Sequence, residues 1–360
     1  MKKLILLLFL ILSNSLQALE YYTVKEYLEK EPHQKEISEK FVKLVQNKAV
    51  ALKEKNKKAV KIVFVYPGNQ VSDYWRRSIK SFEKRMDELN INYILEEHFT
   101  KPTIEISKQI KYLLDALSND TDYLIYTLDL KKHIKLIEKI LNYKDTKLIL
   151  QNITTPLKKW KNKQPFLYVG FDHTIGAIKI ANYYKKRFKD KGKYAVMYGS
   201  FGYISDMRGK EFVKYLHKNS KLELVDEYYT NFKLDNAYNT TLDLISRRDD
   251  IDFIYACSTD IAFGVQKALK EKNLNNKIEL NGWGGGSSEI KSIKEKELDL
   301  TVMRINDDNG VAMAEAIKLD ILGKSDLVPT IFSGNLQIIT KDSPKSKIDT
   351  LTKKAFRYSK

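Results

Sequence analysis

The 360-residue chain is predicted to be an α/β protein with two doubly wound parallel-sheet lobes and a ligand cleft and hinge between them. Three observations lead there. From Lys61 onward, short apolar and often β-branched runs alternate with amphipathic segments, the pattern of parallel sheets built from βαβ units. The candidate strands are too many for one comfortable sheet of this type. Several of them end in polar groups, at the place where open α/β sheets bind ligands.

Met1-Lys2-Lys3 is a short basic region, Leu4 to Leu12 is unbroken apolar sequence, and small and polar residues run from Ser13 to Ala18. This is a secretory signal pattern, with cleavage expected after Ala18 and Ser15 as the alternative. The apolar run is far shorter than the roughly 20 residues a membrane span needs, so residues 1–18 read as a removed signal and the mature protein as soluble and exported. Residues 19–60 form an N-terminal helical extension whose apolar stripe is Tyr27, Leu28, Ile37, Phe41, Val42 and Val45. Strands then follow at 62–66, 91–96, 122–126, 146–150, 166–169, 193–198, 222–228, 252–256, 277–281 and 299–303. Helices are expected at 74–89, 104–118, 131–142, 174–188, 205–218, 235–247, 259–272, 287–296 and 307–322. Breaks near Tyr168-Val169-Gly170-Phe171-Asp172 and Arg304-Ile305-Asn306 divide the chain. Lobe 1 is then 61–170 plus 306–333, and lobe 2 is 171–305 plus 334–360.

Lys and Arg total 63 against 46 Asp and Glu, a formal charge of +17. The lysines are spread along the chain and mixed with acids, as in Lys291-Ser292-Ile293-Lys294-Glu295-Lys296, and Lys185-Lys186-Arg187 is short. With no nucleic-acid motif present, this reads as a solvated surface and not a nucleic-acid interface. Cys257 is the single cysteine, so no intramolecular disulfide forms; after Phe253-Ile254-Tyr255-Ala256 it reads as a buried, inert thiol. The five histidines show no metal-ligand spacing. Gly284-Gly285-Gly286 lacks the lysine and spacing of a P-loop and reads as a tight turn. Asp172-His173 reads as hinge or capping structure.

The first strand, Val63-Phe64-Val65-Tyr66, runs into a sharp turn and a helix start that carry Gln70, Ser72 and Trp75. An amide, a hydroxyl and a flat aromatic suit a small polyol, with hydrogen bonds to its oxygens and an apolar plate for its carbon face. Asn152 follows the fourth strand, Ser258 and Thr259 follow Ala256-Cys257, Trp283 follows Leu280-Asn281-Gly282, and Arg304 ends Val302-Met303. Arg208 stands near a helix start behind Ser205-Asp206-Met207. Each is ordinary alone, as a cap, a salt bridge or a core aromatic. Together they are expected to face one cleft.

These stretches resemble the LuxP-type periplasmic binding proteins, the autoinducer-2 receptors within the ribose-binding type of superfamily. The likeness is carried by Gly68–Trp75, Gln151–Pro156, Phe166–His173, Gly202–Gly209, Asp252–Asp260, Asn281–Ser287, Thr301–Arg304 and the end Lys354–Ser359, over nearly the whole mature chain. The resemblance implies a periplasmic binding protein type I fold and a furanosyl borate diester ligand. It also implies no cofactor beyond that borate, and no catalysis. By the same resemblance Gln70, Ser72, Asn152, Ser258 and Thr259 hydrogen-bond the ligand, Trp75 and Trp283 wall it, and Arg208 and Arg304 flank the borate. The implied partner is a LuxQ-type membrane sensor kinase. The alternative function is the solute-binding subunit of a ribose-like sugar importer. A third, a carbohydrate-processing enzyme, needs paired carboxylates, for which the expected cleft offers Asp260 and Asp73.

Overall fold

The computed structural model describes residues 21–128, 133–142, 145–161 and 163–360. The expected signal segment, 1–18, lies outside them. Helices α1 (Val24–Lys30) and α2 (His33–Gln46) precede β1 (Val60–Tyr66). There follow α3 (Tyr74–Glu88), β2 (Tyr93–Phe99), α4 (Ile106–Ser118), β3 (Tyr123–Tyr126), α5 (Ile134–Ile140), β4 (Lys147–Gln151) and β5 (Leu167–Gly170). The second half carries α6 (His173–Arg187), β6 (Lys191–Tyr198), a π-helical turn at Ser205–Lys210, α7 (Glu211–Asn219), β7 (Lys221–Tyr229) and α8 (Leu234–Arg247). It continues with β8 (Phe253–Ala256), α9 (Thr259–Glu271), β9 (Glu279–Gly284), α10 (Ser287–Lys294) and β10 (Leu300–Arg304). The chain closes with α11 (Asp307–Ile321), β11 (Ile331–Ser333), β12 (Leu336–Thr340) and α12 (Lys345–Ala355).

Two six-stranded sheets result, ordered β11-β5-β4-β3-β1-β2 and β12-β10-β9-β8-β6-β7. The fold is the two-lobe, doubly wound α/β architecture expected, all parallel except for β12, which pairs antiparallel with β10. Central strands are buried on both faces because helices cover both sides, which is why their sequences read as unbroken apolar runs. In each sheet the order reverses beside the first strand, between β1 and β3 and between β6 and β8, leaving a crevice at the carboxyl ends. The chain passes between sheets after β5, after β10 and between β11 and β12; Ile305 N donates to Asn335 O and Gly334 N to Gly170 O, tying these connections together.

Several expectations need correction. The helix at 345–355 is missing from the expected set, and β11 and β12 escape the sequence pattern because they are short and lie at sheet edges. β2 begins two residues later than expected and runs on through Glu97 to Phe99, since an edge strand tolerates polar residues on its open face. β9 extends through Gly284, so Trp283 lies within a strand, not after one. Arg208 sits on a π-helical turn, not on a regular helix start. The final residues leave the second lobe: Ser359 N and Tyr358 N both donate to Asp307 on α11, and Arg77 on α3 reaches Ser359 O. The segment 334–360 therefore does not belong wholly to lobe 2.

The N-terminal extension is pinned to the first lobe. Tyr22 N donates to Pro156 O, Tyr27 hydroxyl bonds Thr330, and Thr23 with Glu26 forms a reciprocal cap on α1. Of the expected stripe, Tyr27, Phe41 and Val45 are buried. Helix α11 is buried along most of its length and lies directly on α3. A Cβ at Gly310 would stand 2.1 Å from Ser81 Oγ and 2.4 Å from Ser78 O, so only glycine permits this approach. Gly310→Ala is expected to cost about 1–3 kcal/mol by forcing the two helices apart, measured as a lowered denaturation midpoint.

Candidate functional site

The carboxyl ends of both sheets meet around a cavity of about 70 Å³. One wall is Pro67, Gln70, Ser72, Tyr74, Trp75, Pro102, Thr127 and Asn152, all following strands of the first sheet. The other is Ile204, Arg208, Phe232, Ser258, Thr259, Asp260, Trp283 and Arg304, all at or beyond the ends of second-sheet strands. All nine residues named as ligand-binding, Gln70, Ser72, Trp75, Asn152, Arg208, Ser258, Thr259, Trp283 and Arg304, are placed here. Asp73 is not: it accepts from Arg77 Nε at 2.6 Å and from Ser287 N at 3.2 Å, outside the cavity lining.

Local structure explains each position. Gln70 Nε2 donates to Pro67 O and holds the turn after β1, while the Trp75 ring lies 4.5 Å from that of Tyr66. Asn152 adopts a left-handed backbone, φ 66°, which asparagine tolerates better than most residues, and its Oδ1 is buried with no hydrogen-bond partner among the described residues. Ser258 caps α9 by accepting from Ile261 N and still lines the cavity; the Thr259 hydroxyl donates to Trp283 O. Trp283 fits because Gly176 on α6 leaves room, a Cβ there standing 2.8 Å from the indole. Gly209 likewise lets the π-helical turn settle against Tyr198 and Cys257.

The two guanidiniums set the electrostatics. Arg208 is 4% exposed and Arg304 5%. Arg208 Nη1 donates to Cys257 O at 3.0 Å, and its guanidinium lies 3.9 Å over Trp283. Arg304 lies 4.1 Å over Tyr74, reaches Trp283 O at 3.5 Å, and leaves Nε buried without a partner among the described residues. Among the described residues neither is paired with a carboxylate within 4.0 Å. Burial, and then repulsion from Arg304, pushes the Arg208 pKa down to about 9, which still leaves it charged at neutral pH. The glycine turn serves this arrangement: Gly284 has φ 125°, and a Cβ there would stand 2.2 Å from Arg304 Nη2. Glu289 anchors the same turn by accepting from Trp283 N, Gly285 N and the Thr301 hydroxyl.

Groups that the sequence reading left off its site include Tyr74, Thr127, Phe232 and Asp260. The aromatic tyrosine signal was masked by Trp75 beside it. Asp260 is visible after Ser258-Thr259, but its partner is not: its Oδ1 accepts the Val71 amide from across the cleft at 3.0 Å, while Oδ2 is buried with no partner among the described residues. Burial raises its carboxyl pKa. Asp260, the Asp73–Ser287 bond and Arg77 Nη2 to Ser287 Oγ at 2.6 Å bring the lobes together over the cavity. Cys257 is fully buried and burial pushes its thiol pKa up, away from reactivity. Among the described residues no His, Cys, Asp or Glu cluster is placed to hold a metal, and no helix is long and apolar enough to cross a membrane.

Two α/β lobes closing on a polar, aromatic-walled cavity define a binding protein of the hinged two-lobe class. The sequence profile of the periplasmic binding protein domain matches residues 62–325, and the chain belongs to that family. Among similar solved structures is an ABC transporter periplasmic solute binding protein from Actinobacillus succinogenes 130z with bound D-allose, 17% identical, TM-score 0.68, covering 79% of this chain and 98% of that one. Another is an ABC transporter solute binding protein from Agrobacterium vitis bound with alpha-D-tagatopyranose, 14% identical, TM-score 0.71, covering 81% and 98%. A third is the XylFII–LytSN complex, 18% identical, TM-score 0.68, covering 80% and 100%. At these identities the likeness is one of fold.

Proposed function

We propose that this protein is a periplasmic receptor that binds a small anionic polyol in the interlobe cleft, specifically the furanosyl borate diester form of autoinducer-2. The carrying observation is the pair of buried guanidiniums, Arg208 and Arg304, facing a cavity lined by amides, hydroxyls and indoles, with no carboxylate ion-paired to them among the described residues. Burying charge without compensation is costly, and a ligand that brings the missing negative charge offsets that cost. Arginine suits the role because its planar fork directs donors at oxygens of fixed geometry. A neutral sugar needs hydrogen bonds and an aromatic plate but not two guanidiniums. In this reading the protein turns nothing over: Asp260 is the one carboxylic acid lining the cavity among the described residues, and glycoside hydrolysis uses two. Ligand-dependent closure then changes the face shown to a membrane sensor kinase of the LuxQ type, through the ligand's preference for the closed state.

A second reading, the solute-binding subunit of a ribose-like sugar importer, has its own support. The comparisons bear on it more directly, since similar folds are ABC transporter solute binding proteins carrying D-allose and tagatose. Calorimetric titration of the mature, ligand-stripped protein separates the two. The autoinducer-2 precursor is expected to bind tightly only when borate is added, and ribose weakly or not at all. Tight ribose binding, or precursor binding indifferent to borate, moves the protein to the sugar-import reading. Turnover of a sugar substrate overturns both.

A further inference from the structure

His173 follows β5 by three residues, where the chain first leaves the first sheet, and it opens α6 behind the Asp172 cap. Its ring is 1% exposed and has a partner on each nitrogen. Nε2 lies 3.0 Å from the main-chain oxygen of Asn152, on the first-lobe wall of the cavity. Arg208 Nε, on the second-lobe wall, lies 3.4 Å from Nδ1. A carbonyl only accepts, so Nε2 carries the proton; a guanidinium nitrogen only donates, so Nδ1 presents its lone pair. The partners thus select one neutral tautomer. A second proton on Nδ1 would oppose the Arg208 N–H. The charged groups around the ring are Arg208 and Arg304, with Asp172 beside it on the same crossover, its carboxylate occupied by Ile175 N. Burial first, then Arg208, holds the His173 pKa well below the usual range. Trp283 meets the ring edge-on at 5.4 Å and Tyr203 at 5.7 Å, so the imidazole plane is held by packing as well.

Among the described residues Arg208 has no carboxylate to orient it, and its remaining supports are Cys257 O and the face of Trp283. Asn152 lines the cavity with an Oδ1 that has no hydrogen-bond partner among the described residues, while its carbonyl is held by His173. One imidazole therefore touches a cavity residue from each lobe, at a crossover between the two sheets. We propose that His173 is a positioning residue that sets the Arg208 guanidinium relative to Asn152 on closure, and so contributes to selection of a negatively charged ligand. The selectivity half of this proposal rests on the anionic-ligand reading above; the positioning half does not.

The test has a ligand-free arm and a ligand arm, both on the mature protein with thermal melts to confirm folding. In the ligand-free arm, nitrogen-15 NMR is expected to show the His173 ring as the neutral Nε2–H tautomer at neutral pH and on acidification through the ordinary histidine range. The Arg208 Nε–H resonance should shift or broaden in His173→Ala and return in His173→Asn, whose amide oxygen can stand where Nδ1 stands. An Nδ1–H ring, or an Arg208 resonance indifferent to these changes, overturns the proposal whether or not any ligand binds. In the ligand arm, His173→Ala is expected to weaken borate-dependent binding of the autoinducer-2 precursor about tenfold, with Asn restoring most of it. In an Arg208→Lys background, which keeps charge but has no Nε, the same change should alter affinity less than about twofold. Equal losses in both backgrounds overturn the proposal. Failure of the unaltered protein to bind the borate ligand, with the NMR results as expected, sinks the anionic-ligand reading and the selectivity claim but leaves the positioning claim standing.

Discussion

Arg304→Met is expected to weaken borate-dependent ligand binding while making the empty protein more stable. The binding loss should be about 2–5 kcal/mol, the scale for removing one partner of a buried charge contact, or roughly 30-fold to several thousandfold in Kd. The opposite sign on stability follows from the site itself. Arg304 is buried, its Nε has no partner among the described residues, and its firmest support is the face of Tyr74. An apolar chain of similar length escapes that desolvation, so the ligand-free variant should gain about 0.5–2 kcal/mol. Calorimetric titration and denaturant melts of the same preparations check both signs. A variant that loses binding and stability together would mean that Arg304 is a structural residue, and unchanged binding would remove it from the site. Arg208→Met is expected to lose affinity similarly, with a smaller stability gain because Cys257 O and His173 share its load.

The second large effect lies away from the cleft. Arg85 on α3 is fully buried and gathers four parts of the chain. Its Nε donates to Glu315 on α11 at 2.8 Å, Nη1 to the Tyr358 hydroxyl at 2.9 Å, and Nη2 to Asn47 O at 3.0 Å and Leu44 O at 3.3 Å. Arg85→Ala leaves Glu315 fully buried with Lys318 Nζ 3.6 Å away as its remaining ion-pair partner, and leaves two carbonyls at the end of α2 without a donor. Breaking such a pair is expected to cost about 3–5 kcal/mol. The paired change Arg85→Met with Glu315→Leu should recover much of the loss, because both buried charges leave together. Denaturant unfolding of single and double variants reads this directly; a single variant within about 1 kcal/mol of the parent would show that the cluster contributes little.

The sequence by itself determined the two lobes and the place of the cleft. That information is local: apolar runs, turns and helix starts recur at a spacing that βαβ units require, and a strand's end is marked by the polar residue after it. Gln70, Ser72, Asn152, Ser258 and Thr259 stand out as polar groups at strand ends, which converge in such a fold, and their role as ligand contacts is what the resemblance implies. β11 and β12, at sheet edges, stayed unassigned because three and five residues are too few to establish a period.

Only the tertiary structure decided which partners these groups meet. Asp73 and Asp260 are both acids near helix starts, yet one is spent on Arg77 and Ser287 at the seam while the other takes the Val71 amide and lines the cavity. His173 looks like capping in sequence, and its reach to Asn152 and Arg208 exists because a crossover sets it between lobes 21 and 35 residues away along the chain. The return of Tyr358 and Ser359 to α11 and α3 is equally silent in the sequence. The physical reason is common to all three. Periodicity and turn chemistry act over a few residues, whereas a buried charge or hydrogen bond is satisfied by whatever the folded chain brings within about 3 Å, however distant in sequence.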